Sequence, residues 1–145
     1  MSSLASYEND LAAWVCQQVG YLKSGQYDKI DMENFIEEIE GVVRSEKRSM
    51  KSHFIVLITH LLKWEYQSYH RSRSWVASIT NSRCEIQEVV EDSPSLKNHM
   101  QTAFEQAWER GRKIALQETG IPSHQLPMAC PWSLHHVMNK AIAID

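Results

Sequence analysis

The chain has 145 residues, 43% of them hydrophobic and 23% charged, with a net charge of −3. That is the size and composition of one globular domain, able to bury about two thirds of its unfolded surface without staples. The mild negative charge argues against a dedicated nucleic-acid protein. Three scattered cysteines, Cys16, Cys84 and Cys130, with no C-x-x-C between them, argue against a disulfide framework.

The N-terminal stretch "MSSLASYEND" lacks the charged region and apolar run of a signal peptide. The first predicted helix covers roughly 6–23, with Leu11, Trp14, Val15 and Leu22 on one face. "KSGQYDKID" breaks it, and Asp31 is placed to cap the next helix, with Glu33 in a first turn that favours acids.

From there the helical pattern runs to about residue 67. Ile36, Val43, Met50, Leu57 and Trp64 recur every seven residues and predict one long central helix, about 32–67. Gly41 is the weak point, at a cost of about 1 kcal/mol against alanine, and leaves a kink or break near 41–46 open. Within this helix "FIVLITHLL" (54–62) is the longest apolar stretch. Thr59 and His60 break it, and it falls short of the about 20 residues needed to cross a bilayer. No membrane association is expected, and the protein is read as cytoplasmic.

"EYQSYHRS" (65–72) reads as a turn. The next helix is predicted at 73–91, with Trp75, Ile79, Ile86, Val89 and Val90 inward. "EDSPSL" (91–96) stops it and starts another at 94–118, with Ser93 as cap and Pro94 in the first helical position. Gly120 and Pro122 end that helix, and Ser133 caps a short last one at 134–142. The fold class is therefore all-α: a helical bundle of about five to six helices in a single domain, 1–145.

Charge is uneven along this frame. Residues 44–73 carry seven Lys/Arg and two acids, a balance of +5, against −8 for the remainder. Arg44, Lys47, Arg48 and Lys51 could form a stripe for an anion or a nucleic acid. Beside the apolar column runs a polar line of Glu46, His53 and His60, spaced about 10 Å apart per heptad. That spacing is too long for one metal on one helix, and the Glu-x-x-His of di-iron bundles is absent. A metal at His60, His53 or Glu46 would need ligands from other helices. A buried polar network around His60 is the simpler expectation, with His53 partly exposed.

"HLLKWEYQSYHRSRSW" (60–75) is read as a helical corner. His60, Trp64, Arg71, Arg73 and Trp75 form its structural polar junction, and the two arginines are expected to reach acidic neighbours. Nothing in the sequence carries the marks of an active site. It has no G-x-S-x-G, no phosphate-cradling glycine loop and no cysteine in a basic local segment. No catalytic residue and no cofactor are assigned, and the balance leans away from an enzyme.

The pieces "IDMENFIEEIEGVVRSEKRSMKSH" (30–53), "HLLKWEYQ" (60–67), "RSRSW" (71–75), "EDSPSL" (91–96), "ETGIP" (118–122) and "CPWSL" (130–134), in this order and spacing, resemble a bacterial family. It is domain-of-unknown-function family 29, common in photosynthetic bacteria. The resemblance covers nearly the whole chain. It implies an all-helical bundle and no activity, because the family has no established biochemical function. Many relatives have a proline at the position of Ser68 and an acid at that of His136, so the resemblance leaves the helix end near 68 and a reciprocal capping box with Ser133 open. The functional expectation is a helical interaction protein whose partner is another protein or a second copy. The alternatives are a nucleic-acid regulator using 44–51 and a metal-dependent protein centred on His60.

Overall fold

The computed structural model describes residues 6–144, so the first five residues of the stretch read for a leader lie outside it. The described residues contain five α-helices and no strand: α1 Leu11–Lys23, α2 Met32–Tyr66, α3 Arg73–Asp92, α4 Met100–Thr119 and α5 Leu134–Asn139. None of the helices is long and apolar enough to cross a membrane. The chain divides into two compact units, one ending at Ser45 and the other beginning at Glu46.

In the first unit, α1 starts five residues later than periodicity predicts. Asp10 is the reason: its carboxylate accepts from the Ala13 N–H at 3.0 Å and fixes the helix start there. Ser24 and Gly25, with φ +75°, turn the chain out of α1. After one 3-10 turn at Tyr27–Lys29, Asp31 opens α2, accepting from the Asn34 N–H at 3.4 Å. The pairing is antiparallel: Gln18 of α1 accepts from the Asp31 N–H at 2.7 Å, and Tyr7, ahead of α1, reaches Glu38.

Helix α2 is a single element of 35 residues, and its α-helical backbone continues through Gly41 and the 41–46 stretch. The helix is unbroken there, as its long apolar period requires. One glycine costs about 1 kcal/mol, a small debit for a helix that buries this much apolar surface further along.

The second unit holds the hydrophobic core. Met50, Phe54, Leu57, Ile58, Leu61 and Trp64 of α2 pack with Ile79 and Ile86 of α3, Phe104, Ala107 and Trp108 of α4, and Val137 of α5. Helix α3 is capped by Ser72, which accepts from the Trp75 N–H at 3.3 Å. The segment after Pro94 is first a 3-10 helix, Pro94–His99, and becomes α-helical only at Met100. Ser93 makes no cap hydrogen bond there. Its hydroxyl donates to Glu46 Oε2 at 2.9 Å instead. Gly120 ends α4 with φ +70°, and Ser133 caps α5 by accepting from the His136 N–H at 3.1 Å. Helix α5 stops at Asn139, three residues short of its predicted end. Arg83 takes over the carbonyls at that end, donating to Val137 O at 3.0 Å and to Lys140 O at 2.9 Å.

Candidate functional site

The first unit buries polar groups and exposes apolar ones. Among its described residues the buried side chains are Trp14 and Gln18. The Trp14 indole N–H donates to Asp31 Oδ2 at 3.2 Å, and the Tyr7 ring meets Trp14 edge-on at 4.9 Å. These groups, with Tyr21, Lys29 and Asn34, line an open hollow of about 360 Å³. The Asn34 side-chain amide holds the Asp31 carboxyl below its ordinary range, helped by the Asn34 N–H and the indole. The bond to Glu38 pushes the Tyr7 hydroxyl up, because ionisation would place a phenolate against a carboxylate.

The apolar stripes of both helices in this unit face outward. Leu11, Val15, Val19 and Leu22 of α1 are between 37% and 47% exposed. Met32, Ile36, Ile39 and Val43 of α2 are between 47% and 55% exposed. The predicted seven-residue column of α2 is thus split in two. Met50, Leu57 and Trp64 are buried at 0%, 0% and 3%, while Ile36 and Val43 are 48% and 47% exposed. Of the α1 face predicted inward, only Trp14 is buried.

The polar line of α2 does not converge. Glu46 accepts from Ser93, and His53 Nε2 lies 3.4 Å from Ser49 Oγ and 3.9 Å from Glu85 Oε2. His60 is half-buried, and its Nδ1 donates to Val56 O of its own helix at 2.8 Å. Among the described residues, no three His, Cys, Asp or Glu side chains gather as metal ligands would. At the helical corner Arg71 pairs with no acid among the described residues. Its Nε donates to Trp64 O at 2.9 Å and its guanidinium lies 4.5 Å from the Trp64 ring centre. Arg73 is exposed. Lys63 pairs with Glu118 and lies 5.9 Å from the centre of the Trp75 ring. Tyr69 is fully exposed.

The basic stripe separates into three kinds of residue. Arg44 is engaged within its own unit, donating to Glu37 Oε1 at 2.7 Å with Glu40 at 3.8 Å. Lys47 is exposed and lines neither groove between α2 and α4. Arg48 and Lys51 face α4, where Arg110 and Lys113 join them around adjoining grooves. Sequence reasoning missed Arg110 and Lys113. The cue was "ERGRK" (109–113), where a glycine among cations marks a close helix crossing.

Cys16 and Cys84 stand alone on the surface, and burial pushes the Cys130 thiol up and away from the reactive thiolate.

Residues 6–142 match the model of a family described as "Domain of unknown function DUF29". No curated protein and no solved structure matches the chain.

Proposed function

Since the chain belongs to the DUF29 family, whose function is unknown, its own surfaces have to indicate its role, and we propose that it is a helical interaction protein that pairs with a second copy of itself through the apolar stripes of α1 and the first part of α2. One observation carries this. Two antiparallel helical segments expose apolar residues at spacings of four, four and three on α1, and four, three and four on α2. In an ordinary amphipathic helix such a stripe faces a core. A helix pair with one outward stripe on each member is half of a four-helix bundle. A second copy supplies the identical half, and an isologous pairing closes without leaving an open end.

The area is adequate. Eight aliphatic side chains, each about half exposed, amount to roughly 250–500 Å² of apolar surface. A standard interface buries about 800 Å² per partner, roughly 60% of it apolar. The eight side chains therefore supply much of the apolar core that a dimer of this size needs, in a patch at the upper end of what monomers expose.

Sedimentation equilibrium over a range of concentrations tests the reading. A monomer–dimer equilibrium is expected, and Ile36→Glu or Val15→Glu should abolish it with the helical circular dichroism unchanged, since both positions are exposed. A monomer at every concentration, or a dimer indifferent to both substitutions, overturns the self-association. A monomer that captures another protein through the same two positions would place a different partner on the same stripes.

A further inference from the structure

Helices α2 and α4 approach closely at Gly111. A Cβ there would stand 2.8 Å from Ile58 Cγ2 and 3.3 Å from Ile55 O. This crossing sets Arg48 and Lys51 on one wall of a groove and Arg110 and Lys113 on the other, over an aliphatic floor that includes Ile55 and Ile114. The two lobes of the groove, about 560 and 460 Å³, share Lys51, Arg110 and Ile114. One acid, Glu109, stands against the four cations.

Several cations of the same unit are engaged within the fold. Lys63 and Lys140 sit on carboxylates, and Arg71, Arg83 and Arg112 donate to backbone carbonyls. Arg48, Lys51, Arg110 and Lys113 make no ion pair and no side-chain hydrogen bond among the described residues. On each helix the two cations are three residues apart, a like-charge spacing that costs a few tenths of a kcal/mol per pair. Crossing two such pairs gathers four like charges around one groove, a repulsion that an external anion would relieve.

We propose that the α2–α4 groove is a binding site for a compact, multiply charged phosphate, the di- or triphosphate chemistry shared by inorganic pyrophosphate and by nucleotides. Each wall presents its cations within a single helical turn, about 4.5 Å of axial rise. The charge of the ligand must be equally concentrated, which suits adjoining phosphates better than a long chain of spaced ones. A single carboxylate would leave most of the four cations unanswered. Arginine contributes forked, bidentate contacts to phosphate oxygens, and lysine a point charge beside them. The site is independent of the self-association read from α1 and the start of α2.

Isothermal titration of the full chain with inorganic pyrophosphate, with a nucleoside triphosphate and with a single-stranded oligonucleotide tests the proposal, with sulfate at matched ionic strength as control. Saturable binding of pyrophosphate, weakened by salt and lost by about tenfold or more in Lys51→Gln/Arg110→Gln, is the expected result. Arg44→Gln should leave it unchanged. Tighter binding of the triphosphate than of pyrophosphate would assign the site to a nucleotide, and equal binding to the free phosphate. No saturation by either phosphate, equal binding of sulfate, indifference to the double substitution, or binding of the oligonucleotide alone would each overturn it. Circular dichroism of the variants checks that the substitutions leave the fold in place.

Discussion

Gly111 of α4 lies against Ile58 of α2 with no room for a side chain: an added Cβ would be 2.8 Å from Ile58 Cγ2. Ile58 is completely buried, and the second obstacle, Ile55 O, is backbone, so neither yields cheaply. Thr59 Oγ1 reaches Gly111 O at 3.3 Å across the same crossing. The relationship fixes how near the two helices come, and with it the juxtaposition of Lys51 and Arg110.

Gly111→Ala should therefore destabilise the protein despite the better helix propensity of alanine. Overpacking costs about 1–3 kcal/mol against a propensity gain of about 1 kcal/mol, so a net loss of about 1 kcal/mol is expected in urea denaturation. Gly20→Ala in α1 is the control of opposite sign. No atom stands within 4 Å of the new Cβ there, and a gain of up to about 1 kcal/mol is expected.

Two residues of one heptad column should respond very differently to truncation. Met50 is completely buried, and Met50→Ala should cost about 2–5 kcal/mol. Ile36, two heptads earlier, is 48% exposed, and Ile36→Ala should stay within about 0.5 kcal/mol at concentrations where the chain is monomeric. Equal losses at the two positions would show that the N-terminal stripe is covered in the isolated chain.

Arg71 holds the end of α2 by a carbonyl and an aromatic face. Arg71→Ala should cost about 1 kcal/mol, the sum of a modest cation–π contact and one hydrogen bond at an exposed site. Arg71→Lys should recover little, because an ammonium cannot both stack on Trp64 and keep the Nε bond to Trp64 O. Thermal melts of the two variants compare these outcomes directly.

The first unit should be sensitive to pH at both extremes. The hydroxyl of Tyr7 titrates above its ordinary value near 10 in the folded chain. Its contribution is therefore fully present below that value and is lost as pH rises through the folded pKa. Asp31 titrates below its ordinary value of 3.8, so its contribution is present above that value and is lost as pH falls through the folded pKa. Tyr7→Phe should remove the alkaline part of the profile and Asp31→Asn the acid part, measured as differences in melting temperature against pH.

Self-association should strengthen with salt. The segment up to Ser45 carries three Lys/Arg and eight Asp/Glu, a balance of −5, whereas the segment from Glu46 is at +2. Bringing two copies of the acidic segment together is opposed by like charge. Raising ionic strength shortens the Debye length from about 10 Å at 0.1 M to about 3 Å at 1 M and screens that opposition. A dimer dissociated by salt would instead point to an interface made of ion pairs.

The local features of this protein are legible in the order of its residues. Helical periods, the Gly120 stop, the Ser133 cap and the reversal after Tyr66 follow from side-chain sterics and backbone hydrogen bonding within a few positions. The 35-residue length of α2 follows from the same period, which Gly41 is too weak to interrupt. Half of the cationic groove was legible as well, in Arg48 and Lys51. What covers each face is a different matter, because burial depends on segments distant in the chain. Ile36 and Met50 occupy equivalent places in one repeat, yet α3 and α4 pack against one and the other is left exposed. Ser93 has the right identity and position for a cap, but Glu46, 47 residues away, takes its hydroxyl. Arg110 and Lys113 become neighbours of Lys51 only because Gly111 lets two backbones approach. Period is set by the geometry of one helix, whereas partnership is set by which helices meet and how closely.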